Sequence, residues 1–217
     1  MGRHPVLFSA SLIFLPATGL APPRRARRSP GRVARGRIVG LLGAVLLSSA
    51  ATLRAEPVPS AFFVQTGLAQ SGHTGSASAG LTWDWQRSWS LGSGRVAGYW
   101  EASAAGWSYR AEAPHGRREL LQFALTPVLR YRGSDGTSRW FAEAGIGATW
   151  MTRHYQTDDK QFSTRWNFGD HLALGWFVGA DQRDEIALRI QHFSNGGFKE
   201  PNSGENFVQL RYVHRLR

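Results

Sequence analysis

A histidine and a serine two positions apart, His192 and Ser194, are the residues of this sequence whose types and spacing best suit nucleophilic catalysis. A serine hydroxyl is a weak nucleophile until a neighbouring base removes its proton. Side chains at positions i and i+2 of a strand share a face and lie roughly 6.6 Å apart, a gap that an imidazole can bridge. The pair therefore predicts His192 as the general base and Ser194 as the nucleophile. Two interfacial polar residues at the end of a strand would have the same spacing, so this alternative stays open.

The segment 185–194 indicates how this pair is displayed. Apolar side chains occupy its even positions, Ile186, Leu188 and Ile190, and the pair His192 and Ser194 continues the same alternation. Because alternate residues of a strand share a face, both polar side chains should project from the apolar face near the end of the strand. A catalytic site built on them would lie on that apolar side of the sheet.

Period-two alternation of apolar residues with small or polar ones recurs from residue 56 onward. It predicts an all-β fold, an eight-stranded antiparallel transmembrane β-barrel with apolar faces toward lipid and small or polar faces toward the lumen. A soluble periplasmic barrel of lipocalin type would turn its apolar faces inward, and alternation alone does not separate the two. The predicted strands are 61–69, 76–86, 95–109, 119–132, 140–152, 165–179, 185–194 and 206–216.

Residues 1–55 have the composition of an export leader. They contain nine arginines, no acidic residue, an apolar run at 38–47 and small residues at 48–51. We predict that 1–55 is removed and that 56–217 forms the barrel in the bacterial outer membrane, with long external and short periplasmic connections. The leader also carries most of the net charge of +11, since 17 basic residues face 15 acidic ones downstream. A nucleic-acid partner is therefore not expected. The chain has no cysteine, which excludes disulfides and thiolate metal sites.

The string from Gln191 to Phe207, QHFSNGGFKEPNSGENF, resembles the lipid A 3-O-deacylase (PagL-type) family. The resemblance implies an eight-stranded outer-membrane barrel whose serine esterase site removes the 3-O-linked acyl chain of lipid A in lipopolysaccharide. It implies His192 as general base, Ser194 as nucleophile, and Asn195, Gly197 and Asn202 as candidates for the oxyanion hole. Amide and backbone N–H groups are suitable donors for such a hole. Neither a cofactor nor a metal is expected.

The last strand offers two residues that could orient His192, Glu205 and Asn206. Val208, Leu210 and Tyr212 of the last strand alternate with Asn206 on the lipid-facing side, whereas Glu205 has the opposite parity. A β-bulge at the start of the strand would turn Glu205 outward and complete a Ser-His-Glu triad, and bulges are common at barrel rims. We predict this bulged arrangement. In a regular strand Asn206 would orient the imidazole instead.

A second class of function also fits the fold, because small outer-membrane barrels include adhesins and structural proteins without enzymatic activity. That interpretation requires the His192–Ser194 string to have no catalytic role. The sequence predicts contact with outer-membrane lipid in both cases. It makes no prediction of the oligomeric state.

Overall fold

The computed structural model describes residues 58–216, and these form one closed barrel of eight antiparallel strands. The strands are β1 (Ala61–Ala69), β2 (Thr74–Leu91), β3 (Gly94–Arg110), β4 (Arg117–Arg132), β5 (Trp140–Met151), β6 (Trp166–Val178), β7 (Asp184–Ser194) and β8 (Glu205–Arg215). Each strand pairs with its neighbour in sequence, and β8 pairs with β1 to close the barrel. A four-residue helical turn, Gly133–Gly136, joins β4 to β5. Within residues 58–216 no helix is long and apolar enough to cross a membrane.

Alternation along each strand separates the outer wall of the barrel from its lumen. In β1 buried and exposed residues alternate strictly over nine residues. Many exposed positions of the other strands are large and apolar, for example Leu172, Leu188 and Ile190, which are 56–68% exposed. A soluble barrel would bury such residues, whereas a barrel in lipid displays them. The lipocalin-type arrangement is therefore wrong for this chain.

Charged residues share the lumen of the barrel with three apolar clusters. Buried ions are stable only when opposite charges and hydrogen bonds compensate the loss of water, and here three arginines interleave with three glutamates. The closest contacts join Arg130 to Glu185 at 2.6 Å, Arg130 to Glu143 at 2.7 Å, Arg211 to Glu101 at 2.9 Å and Arg189 to Glu101 at 3.1 Å.

Aromatic side chains close the barrel at the end where β7 finishes. Trp107 lies 4.6 Å from Phe207 and 5.0 Å from Phe193, measured between ring centroids. The connection 152–165 adds Tyr155, whose hydroxyl lies 2.7 Å from that of Thr74. All of these rings are buried. They form a packed support behind the wall that carries His192 and Ser194.

The predicted strands agree with the structure in number, order and pairing. The main difference is β2, which continues to Leu91, five residues beyond the predicted end at 86. A register shift between Asp84 and Ser88 interrupts the alternation there, and pairing with β3 then resumes. This extension leaves residues 92–93 as the turn, where a longer connection at 87–94 was expected. The predicted leader, 1–55, lies outside the described residues, and its removal stays a prediction.

Candidate active site

His192 and Ser194 lie at the end of β7 and point to the outer wall, as their parity predicts. His192 is opposite Asp170 of β6 on one side and Asn206 of β8 on the other. Both members of the pair are half-buried. Their inward neighbour, Phe193, is anchored in the aromatic cluster, which fixes this end of the strand.

The imidazole of His192 is held by Asn206. Its Nδ1 lies 2.7 Å from Asn206 Oδ1, and the Asn206 amide group donates in turn to Gln70 Oε1 at 3.2 Å. A carbonyl oxygen can only accept a hydrogen bond, so Nδ1 must carry the proton. In the neutral ring Nε2 then keeps its lone pair. The contact with Asn206 therefore selects the tautomer that a general base at Nε2 requires.

The predicted bulge that turns Glu205 outward is wrong. The register from Phe193 opposite Glu205 to His192 opposite Asn206 is continuous, so the side chain of Glu205 points into the barrel and is 1% exposed. Inside, Tyr155 donates to Glu205 Oε2 at 2.8 Å and Ser71 donates to the same oxygen at 3.4 Å. Burial raises the pKa of the Tyr155 hydroxyl, which keeps it protonated as a donor. These donors satisfy the carboxylate in the interior, and a regular strand brings Asn206 to the histidine.

Two of the three residues predicted as oxyanion donors, Asn195 and Gly197, already donate to other groups of the protein. The amide group of Asn195 donates to the carbonyl of Lys199 at 2.7 Å and to Ser163 Oγ at 3.1 Å. The N–H of Gly197 donates to Asn195 Oδ1 at 2.9 Å. Asn202 accepts the N–H of Asn195 through its Oδ1 at 3.1 Å. Asn195 and Gly197 therefore shape the connection 195–204 in this state.

Ser194 has a donor that the sequence reasoning missed. The N–H of Gly196 lies 3.5 Å from Ser194 Oγ, and Gly196 has a left-handed backbone with φ of 67°. Glycine adopts this conformation without steric cost, so the turn can aim a backbone N–H at the nucleophile. Among the described residues no hydrogen bond joins Ser194 to His192 in this state.

Gly204 is a second residue that sequence reasoning missed. Its φ is 64°, and a β-carbon placed on it would lie 2.6 Å from His192 Cε1 and 3.2 Å from Nε2. The bare backbone thus leaves room for the imidazole ring beside Asn206. A glycine immediately before a strand is usually explained by the turn alone, so its role at the histidine becomes visible only in the folded chain.

An apolar groove of about 370 Å³ runs across the outer wall from His192. Asp170 is the only carboxylate among the residues that line it. The other side chains come from β2, β4, β5, β6 and β7 and are largely aliphatic or aromatic: Trp85, Pro127, Leu129, Ala144, Ile146, Leu172 and Ile190. Gly145 and the lumen-facing His171 packed beside it also border the groove. Within residues 58–216 no group of three or more His, Cys, Asp or Glu side chains could hold a metal ion.

The apolar outer wall, the charged lumen and a polar site at one rim define an outer-membrane β-barrel protein. The family model for lipid A 3-O-deacylase (PagL) matches residues 73–215. This chain therefore belongs to that family.

Relatives and a solved structure agree with this assignment. Lipid A deacylase PagL of Bordetella bronchiseptica is 35% identical over 120 residues, which span 55% of this chain and 59% of that protein. The Pseudomonas aeruginosa protein of the same name is 33% identical over 134 residues, 61% of this chain and 73% of that protein. The crystal structure of the outer-membrane enzyme PagL superposes with a TM-score of 0.60 at 26% identity, covering 71% of this chain and 98% of that one. The predicted fold and outer-membrane location are confirmed.

Proposed function

We propose that this chain is a serine esterase that removes the 3-O-linked acyl chain from lipid A of lipopolysaccharide. The observation that carries the proposal is the hydrogen bond between His192 and Asn206 on the outer wall, next to Ser194 and at the head of the apolar groove. This geometry supports the proposal because a base, a nucleophile and a groove suited to a hydrocarbon chain lie next to one another. Membership of the family supplies the substrate class.

The first chemical step uses Ser194 and His192. His192 Nε2 takes the hydroxyl proton while Ser194 Oγ attacks the ester carbonyl, which gives a tetrahedral intermediate and an imidazolium. Asn206 keeps the ring oriented through Nδ1. The protonated ring then returns its proton to the departing sugar oxygen, and the acyl chain stays on Ser194.

Water completes the cycle by the reverse sequence. His192 deprotonates a water molecule that attacks the acyl-serine, and the fatty acid leaves with Ser194 restored. Developing negative charge on the carbonyl oxygen needs donors at about 2.7–3.1 Å. We assign this role to the N–H of Gly196 and the amide group of Asn202, with Asn195 and Gly197 holding the connection in shape. No step requires a cofactor or a metal.

The apolar groove beside His192 explains how a substrate ester would be positioned at Ser194. A carbonyl at Ser194 would direct its acyl chain along Leu172, Ile190 and Ile146, where aliphatic contacts replace those of the bilayer. Because the site is on the outer wall, the substrate reaches it by moving sideways in the outer leaflet. The proposal therefore requires no passage through the lumen.

Mass spectrometry of lipid A from cells that express the chain tests this proposal. The parent protein is expected to remove one hydroxyacyl mass from lipid A, and Ser194→Ala is expected to leave lipid A unchanged. Ser108→Ala, which alters another half-buried serine at the same end of the barrel, serves as the matched control and is expected to act like the parent. Folding of each variant is checked by heat-modifiable gel migration. Unchanged lipid A with folded parent protein would favour a non-enzymatic barrel such as an adhesin.

A further inference from the structure

A carboxylate faces outward on the apolar wall beside the histidine. Asp170 of β6 shares the parity of Leu172 and Leu174, which are 68% and 66% exposed, and it is half-buried on that same face. Directly below it the wall is aliphatic, with Leu172 opposite Ile190 in the next pair on the same face. An ionisable side chain at a lipid-facing position is costly and usually has a functional partner.

The register indicates that His192 is this partner. Asp170 and His192 are directly opposed across β6 and β7, which puts their β-carbons about 5 Å apart on one face. Both residues line the head of the groove. Asn206 occupies Nδ1 from the other side, so the ring is flanked by an uncharged orienting group and by a carboxylate.

No other charged group among the described residues takes this position. From β8 the facing group is the neutral Asn206, while Glu205 points into the lumen toward Tyr155. From the connection 195–204 the group against the ring is Gly204. On β6 the residue after Asp170, His171, faces the lumen and is buried. Of the other titratable groups in the adjoining connections, His73, Lys199 and Glu200 are exposed. The half-buried Arg165 lies over the ring of Trp150 on β5 and donates to the carbonyl of Met151.

We propose that Asp170 is a positioning residue that stabilises the positive charge of His192 during the reaction. The inference rests on the proposed esterase function and deepens it. In this chain the group that orients the ring carries no charge, and Asp170 supplies a negative charge to the imidazolium from the neighbouring strand. The two side chains need no direct contact in the resting state, because a Coulomb interaction in an apolar setting acts over several ångströms.

The rate–pH profile separates this electrostatic role from a structural one. Hydrolysis of micellar lipid A is measured across pH for the parent and for Asp170→Asn, which keeps the shape and removes the charge. We expect kcat to fall about 10-fold and the acidic limb of the profile to move about one unit toward lower pH, because an opposite charge within about 4–6 Å shifts a titration by roughly 1–3 units. KM should stay within about twofold, since the groove is unaltered.

The barrel offers a matched control at its opposite end. Asp184 is opposite His214 and holds its Nδ1 at 2.8 Å, so Asp184→Asn removes another carboxylate from a histidine pair far from Ser194. Its profile is expected to match the parent. Asp170→Glu restores the charge and should keep the parent's acidic limb, and it decides the question if Asp170→Asn does not fold.

The outcomes are distinct. An acidic limb that does not move in folded Asp170→Asn overturns the inference, whether kcat falls or not, and so does a displaced limb in Asp170→Glu. Parent-level activity in Ser194→Ala would instead refute the proposed function, and the role of Asp170 would fall with it.

Discussion

Separate substitutions of the consecutive residues Glu205 and Asn206 provide the sharpest test of how His192 is oriented. Asn206→Ala removes the 2.7 Å contact with Nδ1. A lost neutral hydrogen bond costs about 0.5–1.5 kcal/mol, and release of the ring from one rotamer costs about 0.5–1 kcal/mol more. The sum of about 1–2.5 kcal/mol corresponds to a decrease in kcat of about 5- to 70-fold.

Two conservative substitutions are not expected to lower kcat in this way. Asn206→Asp keeps the geometry and converts the contact to a charge-assisted one, which is stronger by about 1 kcal/mol and should raise kcat about fivefold. Glu205→Gln should leave kcat within about threefold, since that side chain faces away from His192. It should lower the stability of the barrel by about 1–3 kcal/mol, because Tyr155 and Ser71 lose a charged acceptor.

The assay is hydrolysis of lipid A in detergent micelles at saturating substrate, with stability measured by denaturant unfolding in the same detergent. Only variants that show heat-modifiable migration are compared. A folded but inactive Glu205→Gln protein together with a fully active Asn206→Ala protein would refute the reasoning that the strand register selects the orienting group.

Three further outcomes follow from the structure. Gly204→Ala should reduce kcat at least about tenfold, because its β-carbon would lie 2.6 Å from His192 Cε1 at a φ of 64°, and a folded variant of parent activity would contradict this. Arg130→Met should destabilise the barrel by about 3–5 kcal/mol in denaturant unfolding, since it leaves Glu143 and Glu185 without their closest cation; an unchanged midpoint would argue against the lumen network. Hydrolysis should require a lipid or detergent surface, and equal rates on a soluble short-chain ester would place the site elsewhere.

The strands could be predicted because one face of each had to be apolar. In β5 the alternation from Trp140 to Met151 is unbroken, and the observed faces follow it. The end of β2 could not be predicted, since the register shift after Asp84 breaks the period of two while the pairing with β3 continues. Local periodicity shows which face a residue occupies, but a strand that continues through a bulge is recognised only from its partner.

The site shows the same distinction. Parity alone placed His192, Ser194 and Asn206 on one face, and the structure agrees. The expectation that Glu205 replaces Asn206 came from the preference of triads for a carboxylate, and it overlooked the donors available inside the barrel. Those donors, Tyr155 and Ser71, lie 50 and 134 residues away in sequence, so no local pattern indicates them. Gly204 was missed for a related reason, because its contact is with His192 on the neighbouring strand β7.

The charged lumen has a consequence for the cell. Arg130, Arg189 and Arg211 lie buried in the lumen beside their glutamates, so we expect no continuous aqueous path along the barrel axis, while the proposed chemistry takes place on the outside. Many copies could therefore be inserted without admitting small solutes, and the permeability barrier of the envelope would depend only on what happens to its lipids. In planar bilayers the protein should insert without measurable ion conductance.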